Sequence, residues 1–96
     1  MQASERLALA EEDAQRLDAW LWRARFFKTR GIATAMVTKG RVRLNSDRVQ
    51  KPSRQIRVGD VLTFPQGSAI RVIRVLGLAE RRGPAKEAAY LYEDIT

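Results

Sequence analysis

The chain contains neither cysteine nor histidine. Without cysteine there is no disulfide, no thiol nucleophile and no thiolate metal site, a composition suited to a reducing cytosol. Without histidine the commonest general base and the commonest transition-metal ligand are both absent, which removes most enzymatic readings. Carboxylates do not fill the gap. The 11 Asp and Glu are scattered, and their one tight cluster, Glu11, Glu12 and Asp13, lies in a polar N-terminal stretch with no sign of a pocket around it. There is no glycine-rich cofactor loop, and no apolar run approaches the roughly 20 residues a membrane helix needs. The N-terminus has no basic start followed by an apolar core, so the chain reads as cytoplasmic. Its 96 residues make one domain, too small to hold a catalytic unit beside a binding one. The expectation is a protein that is not an enzyme and needs no metal or cofactor.

What is present is positive charge in one place. Residues 16–60 hold 12 Lys and Arg against three acids (Asp18, Asp47, Asp60), a balance of +9 within a chain whose total is +7. The flanks nearly cancel, at −3 for residues 1–15 and +1 for residues 61–96. A basic field confined to one small module is the electrostatic footprint of a protein that sits on a phosphate backbone.

Residues 1–15, rich in Ala, Glu and Gln, read as a frayed helix or flexible arm and receive no function. From Arg16 to Lys28 the periodicity predicts an amphipathic helix of about three turns, with Leu17, Trp20, Leu21, Ala24 and Phe27 on one face and Asp18 suiting the helix dipole. A second apolar row, Ala19, Trp22 and Phe26, is expected to pack under the arm or the C-terminal segment. Stacking on bases is the functional alternative for those aromatics. Thr29 is expected to cap a second helix that places Ile32, Ala33, Met36 and Val37 on one face before Gly40 ends it. Its other face carries Arg30, Thr34 and Thr38 with no acid in the helix, a surface a polyanion can approach.

From Gly40 the period becomes two: Arg41-Val42-Arg43-Leu44, a turn at Asn45-Ser46-Asp47, and a return through Arg48-Val49. Lys51-Pro52-Ser53-Arg54 reads as a loop and residues 55–58 as a short strand. Gly59-Asp60 turns into a strand at 61–64, and Gln66-Gly67-Ser68 into another over 69–78. That last strand breaks alternation, because Ile73 and Val75 share a face with Arg71; a bulge or cover on both sides is expected. After Pro84 a short helix through Tyr90 or a closing strand at 90–92 is expected. The fold class is α+β: two helices packed on a small curled antiparallel sheet, with a C-terminal helix or strand.

Taken in order, Arg16-Leu17-Asp18, Leu21, Thr29-Arg30, Ala33, Gly40-Arg41-Val42-Arg43-Leu44-Asn45, Lys51-Pro52-Ser53 and Val58-Gly59-Asp60 resemble the S-four RNA-binding domain over residues 16–64, leaving 65–96 as an extension packed on the same domain. Trp20-Leu21-Trp22 with Ala24-Arg25-Phe26-Phe27-Lys28-Thr29-Arg30, and Arg81-Arg82-Gly83-Pro84-Ala85 with Glu87-Ala88-Ala89 and Leu91-Tyr92-Glu93, are similar to the fifteen-kilodalton heat-shock protein family. The family resemblance implies binding to ribosomal RNA of the large subunit, particularly one holding a nascent chain on tRNA, in rescue or recycling of stalled translation. Two departures are noted: Ser46 stands where the S-four pattern usually has Gly, and the family tends to continue in a basic tail beyond the position of Thr96.

Carried over by position, the resemblance implies RNA contact by Arg16 at the first helix, by Lys28, Thr29 and Arg30 at the inter-helix turn, and by Arg41, Arg43, Asn45, Lys51, Ser53 and Arg54 in the hairpin and loop. Thr34 joins them from the cationic helix face. Cations that neutralise phosphates, together with the N–H groups of a helix start, support nearly the same set independently. Two other functions compete. One is the RNA-grasping fragment of a modification enzyme such as a pseudouridine synthase, decided by the length of the natural gene. The other is a protein-interaction adaptor using Trp22 and Phe26. Phosphate contacts alone do not separate RNA from DNA. A monomer is expected.

Overall fold

The structure, a computed structural model, describes residues 13–96, so most of the expected N-terminal arm lies outside the described residues. Its elements in order are β1 (Gln15–Arg16), α1 (Leu17–Arg23), α2 (Arg30–Thr38), β2 (Val42–Leu44), β3 (Asp47–Val49), β4 (Gln55–Ile56), β5 (Val61–Gln66), β6 (Ala69–Val75), α3 (Ala85–Ala88), a 3₁₀ turn (Ala89–Leu91) and β7 (Tyr92–Asp94). The fold is α+β. Five strands form one antiparallel sheet in the order β3-β2-β5-β6-β7, and β1 pairs with β4 apart from it.

Alternation assigns one sheet face to the core: Val42, Leu44, Val49, Leu62, Phe64, Ile73 and Val75 are all buried. They join Leu17, Trp20 and Leu21 of α1 and Ala33 and Val37 of α2 in one cluster. Every residue from Leu17 to Leu21 is buried, so α1 is enclosed on nearly all sides. This explains Ala19, and Phe26 is enclosed too: its ring meets Trp20, Phe64 and Tyr92 at 6.0, 5.1 and 4.5 Å. Tyr92 belongs to β7, so the aromatic row does pack under the C-terminal segment.

The first helix is shorter than its periodicity predicts, ending at Arg23 instead of running to Lys28. Arg25 adopts φ 67°, and the N–H groups of Arg25 and Phe26 return to the carbonyls of Trp22 and Leu21. This is the helix-ending loop that glycine usually makes. A non-glycine residue there costs about 1 kcal/mol, and Arg25 offsets it by donating from Nε to the Gly83 carbonyl at 2.7 Å. Phe26 and Phe27 thus reach the core from a turn.

The second helix begins and ends where expected, with the Thr29 hydroxyl accepting from the Ile32 N–H at 3.1 Å and Gly40 at φ 73° behind it. In the β2–β3 turn both Asn45 (φ 50°) and Ser46 (φ 77°) are left-handed, as a two-residue hairpin of this twist demands. Ser46 therefore keeps the turn that glycine would make more easily.

For β6 the bulge alternative is corrected. Pairing of β5 with β6 is continuous from Val61↔Arg74 to Gln66↔Ala69, so there is no bulge. The inner face is shared by Ile73, Val75 and Arg71 because the Arg71 guanidinium lies 5.2 Å from the Phe26 ring centroid, an apolar neighbour that a cation tolerates. At the C-terminus helix and strand are both present, α3 leading through the 3₁₀ turn into β7.

Candidate nucleic-acid interface

Among the described residues one charged side chain is buried in the core, and it organises part of the cationic surface. Asp18, 1% exposed, accepts from Arg16 Nε and Nη2 at 3.0 Å each and from its neighbour, the Ala19 N–H, at 2.8 Å. The Thr34 hydroxyl sits 2.9 Å from its second oxygen, and Arg30 Nη2 lies 3.9 Å away. Burial pushes the Asp18 carboxyl up, but the hydrogen bonds from Arg16 and Thr34 and the Arg16 charge outweigh it and hold the group below the usual carboxylate range. Three of the residues picked out from sequence, Arg16, Arg30 and Thr34, therefore converge on one buried anion.

The first N–H groups of α1 are taken up inside the molecule. The Leu17 and Asp18 N–H groups donate to the Arg54 and Pro52 carbonyls at 2.9 and 3.2 Å. The bond pair instead ties the Lys51–Arg54 loop to the helix, so the loop's side chains project from a fixed base. Lys51, Ser53 and Arg54 line one cleft with Leu44, Asn45, Gln55, Arg57 and Asp60. Within it Asn45 is internally engaged: Oδ1 accepts from the Val61 N–H at 2.9 Å, and Nδ2 donates to Asp60 at 3.1 Å. Its amide joins the hairpin to β5 and sets the wall of the cleft.

Arg41 and Arg43 stand on the hairpin, both exposed. They lie beyond the C-terminal end of α2 and Lys28, Thr29 and Arg30 at its start, about 13 Å apart along a nine-residue helix. Among the described residues the ion pairs are Arg16 and Arg30 with Asp18, Arg71 with Asp94 and Arg74 with Glu93. Lys28, Arg41, Arg43, Lys51 and Arg54 take no part in them. Arg48, left outside the site set drawn from sequence, is a further candidate. It pairs directly across from Arg43, a like-charge arrangement that is unfavourable in a hairpin unless an anion answers it. A two-residue turn at Asn45-Ser46 already implies that register.

A family model described as the S4 domain matches residues 15–62, half of the chain. The chain is 47% identical over 79 residues to heat shock protein 15 of Escherichia coli, covering 82% of this chain and 59% of that protein. It is 43% identical over 86 residues to the Haemophilus influenzae homologue, covering 90% and 64%. A solved structure of Vibrio cholerae heat shock protein 15, a trimer, superposes with TM-score 0.81 at 40% identity, covering 85% of this chain and 82% of that one. The chain belongs to the heat shock protein 15 family of S4-domain proteins. It spans about six tenths of the length of these curated relatives.

Membership places the chain among S4-domain proteins. No helix among the described residues is long and apolar enough to cross a membrane. In this S4 module the Asp18 cluster makes a prediction of its own. Because the folded carboxyl lies below its ordinary value, its contribution to stability is complete above the unfolded value, about 3.9, and drains away as pH falls through the folded value. Asp18→Asn should cost roughly 1–3 kcal/mol at neutral pH and shrink with acidification. Chemical denaturation at pH 7 and pH 3 checks this; a gap between wild type and variant that fails to narrow at pH 3 contradicts it.

Proposed function

We propose that this heat shock protein 15 homologue docks on structured ribosomal RNA, in the cytoplasm, without catalysis. Its target is the large subunit while that subunit holds a nascent chain on tRNA, and its service is clearing stalled translation. The observation that carries the reading is the set Lys28, Arg41, Arg43, Lys51 and Arg54 on the turn, hairpin and loop, which pair with no acid among the described residues, in a module of this family. Recognition by such a surface follows RNA shape and phosphate positions more than sequence.

Neutralising roughly six to eight phosphates gives a slope of log K against log[salt] of about −4 to −7. Titrating binding to purified large subunits across salt measures it, and a slope near zero overturns the reading. Crosslinking against large subunits, small subunits and free tRNA identifies the target; capture of the small subunit alone would reassign it. The monomer expected from sequence contrasts with the trimer formed by the Vibrio cholerae relative, so sedimentation belongs beside both measurements.

A further inference from the structure

We infer that Arg82 and Gln66 are positioning residues for the RNA interface: they hold the inter-helix turn that presents Lys28, Thr29 and Arg30. The inference rests on the RNA-docking reading above. Both residues lie outside the part of the chain matched by the S4 domain, which ends at residue 62.

The turn between α1 and α2 leaves the Phe26 and Phe27 carbonyls outside either helix, and the Trp22 carbonyl, which accepts from the Arg25 N–H, has room for a second donor. Side chains from the second half of the molecule reach them. Arg82 donates from Nε to the Trp22 carbonyl at 3.0 Å and from Nη2 to the Phe27 carbonyl at 3.4 Å. Gln66 Nε2 donates to the Phe26 carbonyl at 2.7 Å. Each donor is itself fixed. The Arg82 guanidinium lies 5.6 Å from the Trp22 ring centroid, and Gln66 Oε1 accepts from Arg71, which is paired with Asp94 at 3.1 Å. One planar fork thus spans two carbonyls five residues apart, a task a lysine ammonium performs less well.

Immediately after Phe27 come the exposed Lys28, the cap Thr29 and the exposed Arg30. Their backbone positions follow from where the carbonyls of Phe26 and Phe27 are pinned. Arg82 is half-buried and spends these donors inside the protein, so its effect on RNA passes through the turn. The S4 module alone does not supply these restraints.

The test is a mutant cycle read on binding to purified large ribosomal subunits across salt, with amide exchange on the free proteins. R82M should weaken binding about 10-fold and make the salt slope shallower by about 1–2, as the two turn cations lose registration. On a K28A/R30A background the same change should alter affinity by less than about twofold, because residues that act through one another are not additive. R82K should fall between R82M and wild type. The amides of residues 28–31 should exchange faster in R82M while those of Leu62 and Ile73 keep their protection. An R82M loss that adds in full on the K28A/R30A background, or wild-type affinity in R82M, overturns the inference. Should R82M lose core protection, Q66M carries the same cycle with the same expected pattern. Wild-type binding that ignores salt would sink the docking reading instead, and the exchange data would still report whether Arg82 holds the turn.

Discussion

The triple replacement of Arg30, Arg41 and Arg43 by alanine should lower affinity for large ribosomal subunits by roughly 10²-fold. At about 1 kcal/mol for each exposed charge-assisted contact, three contacts give that factor. The slope of log K against log[salt] should become shallower by about three, one for each phosphate no longer answered. Arg41 and Arg43 project from a hairpin whose buried residues, Val42, Leu44 and Val49, are untouched. Arg30 stands 3.9 Å from Asp18 and is exposed, so its loss leaves the Arg16 and Thr34 bonds to that carboxylate in place. The variant is therefore expected to fold, with circular dichroism and the melting curve close to wild type. Unchanged binding in a folded triple variant would remove these residues from the interface.

Phe26→Ala should destabilise the fold by about 3–5 kcal/mol. The ring touches a helix residue (Trp20), a central strand (Phe64), the last strand (Tyr92) and the Arg71 guanidinium. Its removal empties the point where α1, the sheet and the C-terminal segment meet. Against a typical domain stability of about 5–15 kcal/mol, that loss takes a large share of the total. Thermal and urea unfolding measure it directly. The same variant weighs the adaptor reading: a side chain 5% exposed presents almost nothing to a partner. A stably folded F26A that loses a protein partner while keeping RNA binding would restore that reading.

Local chemistry was legible in the sequence wherever it declares itself by residue type. Thr29 as cap, Gly40 behind α2, a hairpin turn at Asn45-Ser46 and the loop at Pro52 all follow from side chains that suit few other roles. The stop after Arg23 was not legible, because an arginine occupies the left-handed position and periodicity continues past it to Phe27. Arg71 misled for a related reason: a cation on a core face reads as a break in alternation until Phe26 is known to lie beneath it. The Asp18 cluster depends on Thr34, 16 residues away, and sequence spacing gives no hint of that meeting. The buttress on the inter-helix turn was invisible, since its acceptors are backbone carbonyls and any residue type provides one.

The buried carboxylate of Asp18 has a further consequence for association. An acid beneath a cationic surface reduces the net attraction for RNA, yet it draws Arg16 into one geometry through two hydrogen bonds to its two oxygens. Immobilising a long, rotamer-rich side chain opposes binding by about 0.5–1.5 kcal/mol. For Arg16 that ordering takes place during folding, so under the docking proposal the guanidinium would meet RNA already oriented. Some long-range pull is thereby exchanged for a preorganised contact, and the balance shifts from the rate of encounter toward the lifetime of the complex.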